Sequence, residues 1–210
     1  MKKDSLWFWA MLLLLELGFA LTLVSPDFIR EQSVKEAIAV YETMGSEAAR
    51  EVESRATAWY TAVMVEPEIE KTLRDYFIPS EQARRNSRGL ENLGSPLWPY
   101  VDDRITCLMD LSYWVFRRLS LLVSWLVPCS GALVASVLCG RYRRLIKQTN
   151  FNKASGTRLM YSYKAMVITL MLFVMTFIAP FAISPVIVPF IIVGLMMALG
   201  LSIGNIAKRI

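Results

Sequence analysis

Histidine is absent from this 210-residue chain. The chain therefore lacks the commonest general base near neutral pH and the commonest transition-metal ligand. Its three cysteines, Cys107, Cys129 and Cys139, are not spaced as a metal-binding motif. No glycine-rich phosphate loop of Walker or Rossmann type is present. We therefore expect no metal site and no cofactor, and a protein that is not an enzyme.

Charge is also missing from three long runs. Residues 6–24 contain one charge, Glu16, and residues 119–140 and 165–204 contain none. About 20 helical residues cross the hydrocarbon core of a bilayer, so the 40-residue run is long enough for two crossings. Ser184 and Pro185 lie near its middle and predict a turn there. The fold class is thus all-α, a polytopic membrane protein with four transmembrane helices and an external helical domain between the first and second.

Basic residues set the predicted orientation. The stretch between the second and third runs has seven of them and no acidic residue: Arg141, Arg143, Arg144, Lys147, Lys153, Arg158 and Lys164. Lysine and arginine are retained on the cytoplasmic side during insertion, so this segment and both termini are expected to be cytoplasmic. Arg117 and Arg118, at the outer end of the second run, are expected to snorkel to the interface.

This topology divides the chain into five predicted segments. They are an N-terminal transmembrane anchor (1–25), a periplasmic helical domain (26–105), a second transmembrane helix with its outer extension (106–140), a basic cytoplasmic loop (141–164), and a transmembrane hairpin with a short cytoplasmic tail (165–210).

The predicted external domain has 15 acidic and 10 basic residues. Its first helix carries an apolar stripe at helical spacing: Phe28, Ile29, Val34, Ala37, Ile38 and Tyr41. Ser33 and Glu36 would form a capping box if a helix restarted there. Gly45 predicts a break, Pro67 the start of a later helix and Pro79 its end. Residues 84–99 are predicted to be a loop, after which one helix is expected to run on into the second span.

Three features are candidates for function. Glu16 lies near the centre of its span, where a carboxyl group is expected to be neutral and hydrogen-bonded to a neighbouring helix. Small residues at four-residue spacing predict close helix contacts, either within one subunit or between copies: Gly194, Ala198, Gly200 and Gly204. The seven basic residues, interleaved with aromatics, suit a partner protein, nucleic-acid phosphates or anionic lipid headgroups, or simply keep the segment inside.

The last third of the chain resembles a known family. The features that carry the resemblance are the segment from Ser155 to Lys164 (SGTRLMYSYK), an apolar span, the turn from Ala182 to Pro185 (AISP), a span containing Pro189 and a basic terminus. This plan resembles the inner-membrane proteins of integrating conjugative elements and H-type plasmids, usually labelled as a domain of unknown function. The resemblance implies a non-enzymatic component of a conjugative type IV secretion system in the bacterial inner membrane.

The resemblance also implies partners, namely the conjugative coupling ATPase or secretion-channel proteins, besides membrane lipids. It leaves direct DNA contact and homo-oligomerisation open. Two alternatives come from the residues themselves. A surface-recognition or exclusion factor would act through residues 27–103, and a small transporter would use Glu16 as its proton site.

Overall fold

The computed structural model describes residues 3–78, 97–149 and 156–205, and these are helical with no strand among them. The all-α prediction is confirmed for this part of the chain. The helices are α1 (Lys3–Leu23), α2 (Pro26–Met44), α3 (Ser46–Tyr60), α4 (Ile69–Phe77), α5 (Leu97–Thr149), α6 (Gly156–Ile178) and α7 (Ile187–Gly204). A π-helical turn, Thr61–Val65, follows α3. Most of the predicted loop from 84 to 99 lies outside the described residues.

Helix α2 begins and ends as local chemistry dictates. The Ser25 side chain accepts a hydrogen bond from the Phe28 amide at 3.3 Å, and Pro26 occupies the first helical position. At its C-terminus Gly45 adopts φ 83°, a conformation that glycine tolerates without strain, so the predicted break is confirmed. No helix restarts at Ser33, because α2 runs through that position without interruption. The condition for a capping box at Ser33 and Glu36 is therefore not met.

The apolar stripe of α2 does not face the interior as one surface. Ile29 and Val40 are buried, whereas Val34, Ile38 and Tyr41 are more than half exposed. The residue buried beside Ile29 and Val40 is the charged Glu36. The inner face of α2 is therefore centred on a carboxylate, which hydropathy alone assigns to solvent.

Helix α5 has 53 residues and continues without a break into the apolar run, as predicted. It does not stop at Gly140 but extends to Thr149, and α6 already begins at Gly156. The predicted basic loop at 141–164 is therefore helical over 141–149 and 156–164. Residues 141–149 contain neither glycine nor proline and are rich in good helix formers, so nothing in them stops the helix.

Among the residues that the structure describes, two helices are long and apolar enough to cross a membrane, one within α5 and the other α7. The count rises to three if α1 and α2, which are bent by 113° relative to each other, form one broken span. The apolar part of α6, Tyr163–Ile178, is shorter. The turn predicted at Ser184 and Pro185 is confirmed, since it lies between α6 and α7. Four crossings stay a prediction.

The chain divides into two compact units. The first comprises residues 1–120 and 178–182, and the second comprises residues 121–177 and 183–210. In the first unit, Ala20 and Val24 at the end of α1 pack with Ile29 of α2 and with Cys107, Leu111 and Trp114 of α5. The three cysteines are unpaired thiols.

Candidate functional site

The first of the seven basic residues singled out in the sequence lie in the second unit, at the C-terminal end of α5. Arg141 and Arg143 are exposed, and Arg144 is half-buried. The neighbouring Tyr142 is 63% exposed. These three residues lie within a single turn of the helix, so their positive charges are concentrated near its C-terminal end. We call Arg141, Arg143 and Arg144 the α5 basic turn.

Lys147 has a different role from its neighbours. Its ammonium donates hydrogen bonds to the Gly204 carbonyl at 3.0 Å and to the Asn205 side-chain oxygen at 2.6 Å. Both acceptors lie at the C-terminus of α7, where unpaired carbonyls and the negative end of the helix dipole favour a cation. Lys147 therefore holds the end of α7 against α5. It was predicted as a partner contact, and the structure shows its charge engaged inside the chain.

The other predicted basic residues belong to the region around the start of α6. Lys164 is exposed on α6, close to the exposed Tyr161 and Tyr163 in sequence. The backbone of Arg158 is helical in α6. Lys153 lies outside the described residues. The α5 basic turn and Lys164 thus both present charge at the surface of the second unit.

Predicted small-residue contacts are present between α5 and α7. A Cβ atom on Gly200 would lie 2.7 Å from the Ser136 hydroxyl and 3.0 Å from its carbonyl oxygen. A Cβ on Gly140 would lie 2.7 Å from the Gly200 carbonyl oxygen. The Ser136 hydroxyl donates to the Met196 carbonyl. These glycines let the two backbones approach each other within one subunit.

The other small residues of α7 differ in their surroundings. Gly204 packs against Arg143, because a Cβ atom added to Gly204 would lie 3.4 Å from the Cβ of Arg143. Ala198 is buried. Gly194 has open space around it. Three of the four predicted packing residues are therefore buried in this unit, and Gly194 is not enclosed by a neighbouring helix.

Glu16 lies on α1 in the first unit and is only partly buried. One of its carboxyl oxygens, Oε2, is shielded from solvent and has no hydrogen-bond partner within the described residues. The hydroxyls of Ser130 and Thr169, in the second and third apolar runs, donate to the carbonyls of Val127 and Ala165 in their own helices.

Arg118 is the centre of a polar cluster in the first unit that the sequence reasoning missed. Its side chain is 6% exposed, and that of Glu36 is 2% exposed. Arg118 Nε donates to the two Glu36 oxygens at 3.1 and 3.2 Å, and Nη2 donates to Oε2 at 2.7 Å. The guanidinium also lies over the Trp114 ring, 4.3 Å from its centroid. Such fork-shaped pairing with a carboxylate is typical of arginine.

The same guanidinium reaches the segment that follows α6. Arg118 Nη1 donates to the Ala179 carbonyl at 2.9 Å, and Nη2 donates to the Phe181 carbonyl at 2.7 Å. The Ala182 amide in turn donates to the Gln32 side-chain oxygen of α2 at 3.3 Å. Arg118 thereby satisfies two backbone carbonyls in the non-helical segment after α6. One side chain ties α2, α5 and the start of the α6–α7 turn together.

Arg117 is buried as well, and its Nη2 donates to the Ser33 carbonyl at 2.6 Å. The expectation that Arg117 and Arg118 snorkel outward is therefore wrong. Both turn inward because α2 offers a carboxylate and carbonyl oxygens. The signal in the sequence was two adjacent arginines before an apolar run, in a chain whose preceding segment is acidic. The hydropathy pattern does not identify which acidic residue pairs with these arginines.

A cleft of about 360 Å³ lies in the first unit beside the π-helical turn and α4. Tyr60, Val65 and Asp75 are among its lining residues. Glu68, also in the lining, has φ 51°, which is a left-handed conformation rare for residues other than glycine. Burial raises the pKa of the Tyr60 hydroxyl, and Glu70 and Asp110 raise it further. Tyr60 therefore stays protonated near neutral pH and can donate a hydrogen bond.

Comparison with known proteins identifies the family. The family model described as "DtrJ-like: IncC plasmid conjugative DNA transfer protein DtrJ-like" matches residues 25–209. No curated protein and no solved structure matches the chain. The match extends into both compact units and includes Arg118, Glu36 and the α5 basic turn, but it does not include residues 1–24. The chain therefore belongs to the DtrJ-like family of IncC plasmid conjugative DNA transfer proteins.

Proposed function

We propose that this protein is a non-enzymatic inner-membrane component of the conjugative type IV secretion system, and that it binds the coupling ATPase through the α5 basic turn. The observation that carries the proposal is the exposure of Arg141 and Arg143 on a rigid helix end that Lys147 fastens to α7. A helical backbone suits a protein contact, because no loop has to be ordered on binding. The process in which the protein takes part, conjugative DNA transfer, follows from its membership of the DtrJ-like family.

The proposal includes four crossings with both termini in the cytoplasm. They are α1, the apolar part of α5, α6 and α7. The charge distribution supports this arrangement, since the α5 basic turn follows the second apolar run and acidic residues predominate in the segment before α5. Cysteines introduced at the exposed positions Glu47 and Tyr142 test it in spheroplasts. Glu47→Cys should react with a membrane-impermeant thiol reagent and Tyr142→Cys should not, and the reverse result would overturn the topology.

The partner assignment is tested by charge reversal. Arg141→Glu together with Arg143→Glu should abolish recovery of the coupling ATPase after mild crosslinking, and should lower the conjugation frequency. Arg50→Glu on α3 is the matched control, because Arg50 is also an exposed helical arginine. Conjugation and ATPase recovery at wild-type levels in the double variant, with normal protein abundance, would remove the basic turn from this role.

A surface-recognition factor is the second candidate, and the cleft beside the π-helical turn favours it. Irregular π-helical turns occur frequently at functional sites, and this one lines a cleft together with the strained Glu68. Under this view, exchanging residues 27–103 between two family members would transfer mating specificity. Unchanged specificity after the exchange would favour the ATPase-binding role.

A further inference from the structure

We infer that a cleft between α5, α6 and α7 binds one anionic phospholipid, with an acyl chain in the cleft and the phosphate at Arg144. The inference does not depend on the proposed protein partner. The cleft has a volume of about 370 Å³ and lies entirely within the second unit. Ten apolar side chains line it: Leu122, Leu126, Leu133, Met166, Leu170, Phe173, Ile192, Leu195, Met196 and Leu199.

The lining explains why hydrocarbon is the occupant. Ile192 and Met196 of α7 are buried at the floor of the cleft, while Leu126 and Leu170 on its walls are more than 40% exposed. α5 and α7 are each long and apolar enough to cross a bilayer. An apolar cleft on such helices offers no polar group to hold water. An acyl chain from the surrounding bilayer restores the packing contacts that an empty cleft lacks.

Arg144 is placed to hold the headgroup. It follows Leu126 by 18 residues, which is five helical turns, and so lies on the face of α5 that lines the cleft. It is about 16 Å beyond Leu133 along the axis, a distance that an acyl chain spans. Arg144 is half-buried, and its Nε atom is shielded from solvent with no hydrogen-bond partner among the described residues. A phosphate oxygen can pair with such a guanidinium, and after a change of the Arg144 rotamer it would also supply the acceptor that Nε lacks.

The charge of this unit favours an anionic headgroup. The sequence contains no aspartate or glutamate after Asp110, so the α5 basic turn has no acidic residue within its own unit to neutralise it. Lys147 is already engaged by Gly204 and Asn205. Tyr163 of α6, 46% exposed, precedes the lining residue Leu170 by two helical turns and places an amphipathic ring at the same end of the cleft.

The test uses the intact chain in nanodiscs of phosphatidylcholine containing a minor fraction of phosphatidylglycerol. Lipid that stays with the protein after gentle release is counted by native mass spectrometry. We expect one phosphatidylglycerol per wild-type chain. Leu170→Trp, which fills the cleft, should abolish its retention. Leu172→Trp is the matched control, because Leu172 is exposed on the same helix and does not line the cleft.

Arg144→Gln tests the headgroup contact without changing the cleft. Loss of a charge-assisted hydrogen bond should weaken phosphatidylglycerol retention roughly tenfold, and Arg144→Lys should restore part of it. Circular dichroism establishes that each variant keeps its helical content. The inference is overturned if Leu170→Trp retains the lipid, if both tryptophan variants lose it equally, or if phosphatidylcholine is retained as well as phosphatidylglycerol.

Discussion

Glu36 and Arg118 form a buried ion pair. Replacing either residue alone should destabilise the protein, and the two single losses should add up to more than the loss in the double variant. Glu36→Leu leaves the Arg118 guanidinium buried without its carboxylate, and Arg118→Met leaves the Glu36 carboxylate buried without a cation. The two side chains are 2% and 6% exposed, so water screens neither charge. Breaking a pair at such depth typically costs about 3–5 kcal/mol. We expect each single variant to fall in this range.

The double variant, Glu36→Leu with Arg118→Met, separates the ion pair from the other bonds of Arg118. Neither charge of the pair is left, so the loss should be below the sum of the single losses by about 2 kcal/mol or more. It should not vanish, because the Ala179 and Phe181 carbonyls lose the donors now 2.9 and 2.7 Å away. An unpaired buried carbonyl costs about 1–3 kcal/mol.

The measurement is the free energy of unfolding in detergent micelles, followed by tryptophan fluorescence during denaturant titration. The exposed pair of Glu31 and Lys35 is the matched control. Its atoms are 2.7 Å apart, as in the buried pair, but its side chains are 62% and 55% exposed. Replacing Glu31 or Lys35 should cost less than about 1 kcal/mol. Additive losses in the Glu36 and Arg118 variants, or losses as small as those of the control pair, would refute the reasoning.

The remaining predictions concern helix contacts. Gly200→Leu should lower the thermal midpoint in detergent, because its side chain would overlap α5, whereas Gly194→Leu should leave the midpoint nearly unchanged; equal effects would contradict the packing. Lys147→Met should speed hydrogen exchange at the C-terminal turn of α7, which loses its cation; unchanged exchange would show that the cap contributes nothing. Arg104→Met removes the Nη1 donor that lies 3.1 Å from the Leu21 carbonyl and 2.6 Å from the Val24 carbonyl at the end of α1, and should increase proteolysis between α1 and α2; unaltered cleavage would contradict that anchoring role.

Much of the helical plan could be predicted because it depends on local signals. The Gly45 break and the Ser184–Pro185 turn follow from backbone preferences of single residues. The unbroken helix through the start of the second apolar run follows from spacing alone. Its end was misplaced at Gly140 because a charge run was taken as a loop, although arginine, leucine and lysine are good helix formers.

Part of the site was also predictable. A basic segment after an apolar run identifies charge near a membrane, and glycines four residues apart identify a close helix contact. The sequence does not show which basic residues stay exposed. Lys147 and Arg143 are four residues apart on α5, yet Lys147 is held at the end of α7 while Arg143 is exposed.

The helical class, the apolar runs, the breaks and the lack of histidine could all be read from the amino-acid sequence. These depend on residue type and on neighbours a few positions away. The burial of Glu36 beside Arg118, 82 positions further along the chain, became visible only in the folded molecule. The physical reason is that a charge is tolerated in the interior only when its counter-charge arrives there as well. The pairing of Glu36 with Arg118 depends on how the helices pack, and it cannot be deduced from composition or periodicity.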